Sequence, residues 1–228
     1  MGWDDWIRTV EVEPSLYAAD FARLGEQVDV LLRAGCRIFH FDVGDGHFVP
    51  PITMGPVVLR GIAPIGRRHE ARFDCHLMVD NPGRHFAELK ESGADSVTVH
   101  YEVCGRDLPG IAALARELEL GFGVAFNPES EPDDVAQAAA AASADLVLCM
   151  SIHPGYSGQE FMPEALDRVR RLRELLPPGM HVQVDGGVGH DNVRALYDAG
   201  ADLLVAGTAI FGREDLPRSF RRLVEALR

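Results

Sequence analysis

Lysine is nearly missing from this 228-residue chain, in which Lys90 is the only one among the 22 basic residues. Enzymes that form a Schiff base with a carbonyl substrate need a buried lysine amine. Lys90 lies instead in a polar stretch of a predicted helix. The sequence therefore argues against covalent amine chemistry.

Cysteine and long apolar runs are also scarce. The four cysteines form no C-x-x-C pair, which argues against a zinc knuckle or a dithiol redox motif. No apolar run reaches the length of about 18 residues that a membrane span needs, so we expect no membrane partner. Asp4 and Asp5 stand where a secretory signal would be basic and then apolar, which predicts a cytoplasmic protein.

Positive charge is in short supply as well, because 22 basic residues face 35 acidic ones and the formal net charge is −13. This balance argues against nucleic acid or an anionic membrane surface as a partner. An anionic substrate would have to be held by local dipoles and a metal ion. The apolar share of 46% and the charged share of 25% are those of an ordinary globular protein.

Short β-branched apolar runs alternate with longer amphipathic ones along the whole chain. Strands are predicted at residues 10–13, 38–43, 73–78, 96–100, 121–126, 146–151, 182–185 and 203–206. Helices are predicted at residues 21–34, 56–62, 82–92, 108–118, 133–142, 163–176, 191–199 and 217–227. This alternation indicates parallel strands joined by crossover helices.

Two architectures accommodate such a pattern, a closed barrel and an open doubly wound sheet. The open sheet needs a glycine-rich turn after its first strand, but Pro14-Ser15-Leu16 stands there. No linker divides the chain, so the sequence predicts a single α/β domain over residues 1–228, a (β/α)8 TIM barrel, with residues 1–9 as an N-terminal extension. Trp3 and Trp6 of this extension would either cap the barrel bottom or dock a neighbouring subunit.

Barrel active sites lie at the carboxyl ends of the strands, and ionisable side chains occur there. His40 and Asp42 are two residues apart on one strand, so both side chains point to the same face. His76 ends the next strand and Asp185 ends the seventh. Two imidazoles and two carboxylates suit Zn²⁺, Mn²⁺, Fe²⁺ or Co²⁺. For each residue alone, the alternative is a buried histidine bonded to the backbone or an aspartate that caps a helix.

Glycine-containing segments follow the last three predicted strands. Glycines at such turns let backbone N–H groups approach an anion, and a phosphate site after strands seven and eight recurs in barrels. The segments contain Gly155, Tyr156, Ser157 and Gly158, then Gly186 and Gly187, then Gly207 and Thr208. Together they predict a phosphate site.

Several motifs resemble those of the ribulose-phosphate 3-epimerase family. They are Glu13-Pro14-Ser15-Leu16, His40-x-Asp42-x-x-Asp45-Gly46-His47-Phe48-Val49-Pro50, Cys75-His76-Leu77-Met78-Val79, Met150-Ser151-x-x-Pro154-Gly155-Tyr156-Ser157-Gly158-Gln159 and Val184-Asp185-Gly186-Gly187-Val188. They run in order from about residue 10 onward. The resemblance implies a metal-dependent epimerase acting at C3 of a ketose phosphate, D-ribulose 5-phosphate giving D-xylulose 5-phosphate, and a homo-oligomer.

The resemblance also assigns roles to individual residues. Asp42 would accept the C3 proton and Asp185 would donate one, with the roles exchanged in the reverse direction, through a metal-stabilised enediolate. The ligands of the divalent ion would be His40, Asp42, His76 and Asp185. Substrate contacts would come from Ser15, His76, Met78, Met150, Gly155, Tyr156, Ser157, Gly158, Gly186, Gly187, Gly207 and Thr208.

Two departures from the family pattern bear on the substrate. Gly44 stands where relatives usually carry a third methionine, which predicts spare space for a bulkier substrate or water, and Pro51 replaces the usual asparagine. An epimerase of another ketose phosphate, such as a hexulose 6-phosphate, is therefore the nearest alternative. A decarboxylase or aldol-type synthase is disfavoured because its Asp-x-Lys-x-x-Asp signature lacks a lysine here. An inactive sugar-phosphate-binding barrel is disfavoured by the intact Asp42 and Asp185.

Overall fold

Eight strands and eleven helices follow one another in the computed structural model, which describes residues 3–7 and 9–228. The strands are β1 (Glu11–Pro14), β2 (Ile38–Gly44), β3 (Arg72–Met78), β4 (Ser96–His100), β5 (Gly121–Phe126), β6 (Leu146–Met150), β7 (His181–Asp185) and β8 (Leu203–Ala206). The helices are α1 (Trp3–Trp6), α2 (Leu24–Arg33), α3 (Pro56–Arg67), α4 (Phe86–Ser92), α5 (Tyr101–Cys104), α6 (Leu108–Glu117), α7 (Pro132–Ala141), α8 (Ala165–Leu175), α9 (Val193–Ala199), α10 (Thr208–Phe211) and α11 (Leu216–Ala226). Short 3-10 turns occupy Leu16–Ala18, Phe21–Arg23, Pro82–His85 and Gly105–Asp107.

All strand pairs are parallel, and their order β1-β8-β7-β6-β5-β4-β3-β2 follows the chain around a ring. A parallel bridge between Ser15 and His40 joins the two ends of this sheet. The predicted (β/α)8 TIM barrel is confirmed. Its closure brings β1 beside β2 and thereby places residues from both ends of the sequence at one barrel mouth.

The alternation within each strand divides the interior into two layers. In β2, Phe39 and Phe41 pack in the hydrophobic cluster between the strands and the helices. Ile38 belongs to a separate cluster inside the barrel. His40 and Asp42 share the inward face with Ile38, because side chains two apart in a strand point the same way.

The bottom of the barrel is closed by α1. Trp3 and Trp6 are 2% and 5% exposed and pack with inward-facing residues such as Leu146 and Leu203. A Cβ at Gly121 would lie 2.9 Å from Trp3 Nε1, so the absence of a side chain there admits the indole. Of the two roles open to the tryptophans, the structure shows the cap. Residues 1, 2 and 8 of the predicted extension lie outside the described residues.

The element boundaries differ from the prediction mainly at helices. The predicted helix at 56–62 continues to Arg67 and passes through Pro64. A proline costs the helix a hydrogen bond, but the far end of α3 packs on β3, where a Cβ at Gly66 would lie 2.6 Å from the ring of Phe73. Tertiary packing therefore outweighs the local signal. The short helices α1, α5 and α10 were not predicted, because their sequences show no detectable amphipathic pattern. Among the described residues, no helix combines the length and the apolar character that a membrane crossing requires.

Candidate active site

Four side chains converge at the carboxyl ends of three strands. His40 and Asp42 come from β2, His76 from β3 and Asp185 from β7, and one ligand atom of each lies within 4.8 Å of all the others. Strand register explains part of this, since Asp42 and His76 are direct neighbours across β2 and β3. The structure thus brings together all the side chains that the sequence suggested as metal ligands.

Asp42 lies at the centre of this cluster. Its Oδ1 is 3.3 Å from His40 Nε2 and 3.2 Å from His76 Nδ1. Asp185 Oδ2 approaches the same two nitrogens at 3.9 and 4.0 Å from the opposite wall. Ser15 Oγ donates a 2.7 Å hydrogen bond to Asp42 Oδ2, which leaves Oδ1 directed at the cluster.

The cluster has the properties of a divalent-cation site. His40 is fully buried, and neither of its ring nitrogens has a partner in hydrogen-bond geometry. A buried polar atom without a partner is costly unless a ligand satisfies it. Imidazole nitrogens combined with carboxylate oxygens suit a divalent transition-metal ion. His40, Asp42, His76 and Asp185 therefore fit such an ion.

The two aspartates carry opposite electrostatic shifts. Burial alone would raise the pKa of Asp42, but His40 and His76 outweigh it and hold this pKa well below its usual range. Burial and the nearby charge of Asp42 raise the pKa of Asp185 to about 7. For His40, burial disfavours the cation, yet the carboxylates of Asp42, Asp74 and Glu13 raise the pKa well above its usual value. One carboxylate is thus ionised while the other retains a proton near neutral pH.

A second polar layer supports His40 from below. Gln183 Nε2 donates to Glu13 Oε2 at 2.6 Å and to Asp74 Oδ2 at 2.9 Å. Asp74 Oδ2 also lies 3.3 Å from His40 Nδ1. Glu13, Asp74 and Gln183 are fully buried, and burial raises the pKa of Glu13 to about 7.

This layer was not predicted, although the sequence contained a signal for it. Glu13, Asp74 and Gln183 each stand two residues before a site residue: Ser15, which directly follows β1, His76 on β3 and Asp185 on β7. Period-two spacing places them on the same inward face, one step deeper.

A cleft with about 510 Å³ of space between atoms, part of it open to solvent, lies above the cluster. Its lining includes Asp42, Asp185 and nearly all the predicted substrate contacts: Ser15, Met78, Met150, Gly155, Tyr156, Ser157, Gly158, Gly186, Gly187, Gly207 and Thr208. His76 is fully buried beneath the cleft. Tyr17, Ile152, Val188 and Val205 line it as well and were not predicted. The described residues that line the cleft include no lysine or arginine, in keeping with the expectation from the net charge.

Two glycines shape the turn after β7 that lines the cleft. Gly186 and Gly187 follow β7 with φ values of 115° and 63°, a region that favours glycine. A Cβ at Gly186 would collide with Ile152, and one at Gly187 would lie 2.8 Å from the backbone nitrogen of Phe161. The turn can therefore form only without side chains at these positions.

The expectation of spare space at Gly44 is wrong. A Cβ at this position would lie 2.9 Å from Pro51 O, 3.0 Å from Val49 Cγ2 and 3.1 Å from Thr53 Cγ2. Thr53 Oγ1 also accepts from Gly44 N and donates to Asp42 O, both at 2.7 Å. The loop after β2 folds back over Gly44 and fills the room that a side chain would take.

The single lysine is remote from this chemistry. Lys90 lies on α4, outside the barrel, and its ammonium donates to Glu119 O at 2.8 Å. It does not line the cleft. The structure thus agrees with the exclusion of Schiff-base chemistry.

Known proteins match both the chain and its fold. The model of the ribulose-phosphate 3 epimerase family matches residues 11–211. The chain belongs to this family. Ribulose-phosphate 3-epimerase of Aquifex aeolicus is 37% identical over 213 residues, which cover 92% of this chain and 93% of that protein. The enzyme of the same name from Escherichia coli is 36% identical, with 95% and 94% covered. The predicted family and its class, an isomerase, are confirmed.

More distant solved structures share the barrel. The 3-hexulose-6-phosphate synthase of Salmonella typhimurium has a TM-score of 0.75 at 16% identity, and the alignment covers 96% of this chain and 98% of that one. The 3-keto-L-gulonate-6-phosphate decarboxylase of Vibrio cholerae has a TM-score of 0.72 at 14% identity, with 96% and 98% covered. At these identities the likeness shows the fold alone.

Proposed function

We propose that the chain interconverts D-ribulose 5-phosphate and D-xylulose 5-phosphate by moving the proton at C3. The observation that carries this is the placement of Asp42 and Asp185 on opposite walls of one small cluster, with opposite pKa shifts. Inversion at carbon requires one group that removes a proton from one face and another that returns a proton to the other face.

The protonation states suit this task. Asp42 is ionised and acts as the base toward one epimer, while Asp185 holds the proton that is delivered to the opposite face. Environments that push two carboxyl pKa values apart commonly separate a base from an acid. In the reverse direction the two residues exchange roles. Ser15 holds the second oxygen of Asp42 and thereby keeps the reactive oxygen directed at the substrate.

His40, Asp42, His76 and Asp185 would hold the divalent ion. When bound, the ion supplies Lewis-acid stabilisation of the negative charge that develops on the substrate oxygens as the C3 proton leaves. The nitrogen and oxygen donors accept Zn²⁺, Mn²⁺, Fe²⁺ or Co²⁺, and cellular supply selects among them.

The far end of the cleft suits a phosphate. The turns at Gly155–Gly158, Gly186–Gly187 and Gly207–Thr208 line the cleft, and five of their eight residues are glycines. Backbone N–H groups in such turns bind anions. Met78 and Met150 add apolar surface to the lining of the same cleft.

The test uses the C3 proton itself. In D₂O, the metal-loaded wild type is expected to epimerise both substrates and to place deuterium at C3. Asp185→Asn is expected to exchange the C3 proton of D-ribulose 5-phosphate through Asp42 while epimerisation falls by about 10²–10⁴-fold. Asp42→Asn is expected to exchange the C3 proton of D-xylulose 5-phosphate through Asp185, again with a large loss of epimerisation. Metal content is measured for each variant to separate lost chemistry from a lost ion.

Asp134→Asn, an exposed change on α7, is the matched control and should leave the rate unchanged. Epimerisation by Asp185→Asn within about tenfold of wild type would refute its role as the acid. A panel that includes hexulose 6-phosphates decides the substrate. Preference for a hexulose phosphate would replace the pentulose assignment, and binding without turnover would indicate an inactive sugar-phosphate-binding barrel.

A further inference from the structure

A chain of contacts runs from the metal cluster into the barrel wall. His76 Nε2 lies 2.8 Å from Nε2 of His100, the last residue of β4. His100 Nδ1 lies 3.2 Å from Glu102 Oε2. The other oxygen of Glu102 accepts from the backbone N–H of Asn127 at 2.7 Å and from Ser130 Oγ at 2.5 Å. Neither His100 nor Glu102 lines the cleft, so neither is placed to contact substrate.

This chain is shielded from solvent at its centre. His76 and His100 are 0% and 1% exposed. The ring of Phe48, from the loop after β2, lies 4.6 Å from the ring of His100. At 2.8 Å, one of the two Nε2 atoms must donate a proton and the other must accept it, so this hydrogen bond has a direction that can be worked out.

The direction follows from counting protons. A carboxylate only accepts, so Glu102 requires a proton on His100 Nδ1. A neutral His100 then presents a lone pair at Nε2, which requires the proton of His76 to be on its Nε2. The remaining lone pair of His76 then lies on Nδ1, 3.2 Å from the carboxylate oxygen Asp42 Oδ1. Two acceptors face each other there unless a cation lies between them, so this direction belongs to the cation-bound site.

With a cation at His76 Nδ1, the opposite direction is unfavourable. A proton on His76 Nδ1 would make His76 Nε2 the acceptor and His100 Nε2 the donor. His100 Nδ1 would then turn a lone pair toward the Glu102 carboxylate at 3.2 Å. Two acceptors in contact within a buried site repel each other, and neither finds the donor that it needs.

We infer that His100 and Glu102 are positioning residues, which fix the tautomer of His76 so that Nδ1 offers its lone pair to the cation. Ligating histidines commonly donate their other N–H to a carboxylate or a carbonyl. Here a second imidazole lies between the ligand and the carboxylate. The inference rests on the metal site of the proposed function.

Glu102→Gln tests the direction with little change in shape. The glutamine oxygen keeps the acceptor for Asn127 and Ser130, while its NH₂ group faces His100 and donates where the carboxylate accepted. The favoured tautomer of His76 is thereby reversed. We expect the affinity for Mn²⁺, measured by competition with a chelator, to fall about 10–100-fold.

A matched control and a second measurement complete the test. Glu88→Gln changes the same charge on the exposed face of α4 and should leave the Mn²⁺ affinity within about twofold of wild type. Nitrogen NMR of ¹⁵N-histidine in the Zn²⁺-loaded wild type should show His100 protonated at Nδ1 and His76 at Nε2, with His100 protonated at Nε2 instead in Glu102→Gln. The wild-type spectrum decides the question even if the variant fails to fold.

The outcomes separate the two proposals. A wild-type chain that binds no divalent ion overturns both the metal site and this inference. Wild-type binding of one ion, with unchanged affinity and tautomer in Glu102→Gln, overturns the inference alone. A Zn²⁺-loaded wild type in which His100 is protonated at Nε2 also overturns it.

Discussion

Metal uptake should release protons, and their number follows from the charges at the cluster. In the metal-free protein, burial and the charge of Asp42 raise the pKa of Asp185 to about 7. The carboxylates around His40 overcome its burial and raise its pKa well above the usual value. Below neutral pH both groups hold a proton that a cation must displace. Because the cation binds the deprotonated forms, affinity must rise with pH.

The size of the pH effect on the affinity follows from one displaced proton each on Asp185 and His40. Each released proton changes the apparent affinity about tenfold per pH unit, or about 1.4 kcal/mol. Between about pH 5.5 and 6.5 both protons are displaced, so the affinity should rise about 100-fold. Above about pH 8 Asp185 is already ionised and releases no proton, so the rise in affinity per pH unit should become about tenfold smaller.

Calorimetric titration with Mn²⁺ in two buffers of different ionisation enthalpy measures the protons released per ion. We expect close to two at pH 6 for the wild type and about one fewer for Asp185→Asn, which has no carboxyl to titrate. The variant binds more weakly, but the proton count does not depend on affinity. Release of no protons at pH 6, or an affinity that stays constant between pH 5.5 and 6.5, would refute the assigned charge states.

Two further substitutions test the surroundings of the site. Gln183→Leu removes the amide that donates to Glu13 and Asp74. At pH 8, above the pKa of Glu13, each hydrogen bond to a charged group contributes about 1.5–3 kcal/mol, so the free energy of unfolding in urea should fall by about 3–6 kcal/mol. A loss below about 1 kcal/mol would contradict the proposed support. Gly44→Ala places a Cβ 2.9 Å from Pro51 O. We expect the free energy of unfolding to fall by about 1–3 kcal/mol and kcat to fall as well. Full stability and activity would instead support spare space at this position.

The inward face of the strands and the likeness to the family could both be predicted from short stretches of sequence. The spacing of His40 and Asp42 predicted a shared inward face, because side chains two apart in a strand point to the same side in any surroundings. Gly186 and Gly187 marked a turn because only glycine adopts their backbone angles freely. Such features depend on the nearest neighbours along the chain, which is why the strands and most site residues were predicted.

Contacts between strands had no such local signal. Glu13, Asp74 and Gln183 form one network only because the closed ring brings β1, β3 and β7 around His40. The 2.8 Å contact between His76 and His100 likewise depends on how neighbouring strands are staggered.

The alternating strands and helices, the inward face of each strand, the glycine turns and the family follow from the residues alone. Three features became visible only in the folded barrel: Trp3 and Trp6 cap it, the loop after β2 fills the space over Gly44, and Asp42 and Asp185 meet across one cleft. Backbone periodicity is a local property, whereas distances across a barrel depend on its closure and on the packing of loops far apart in the chain.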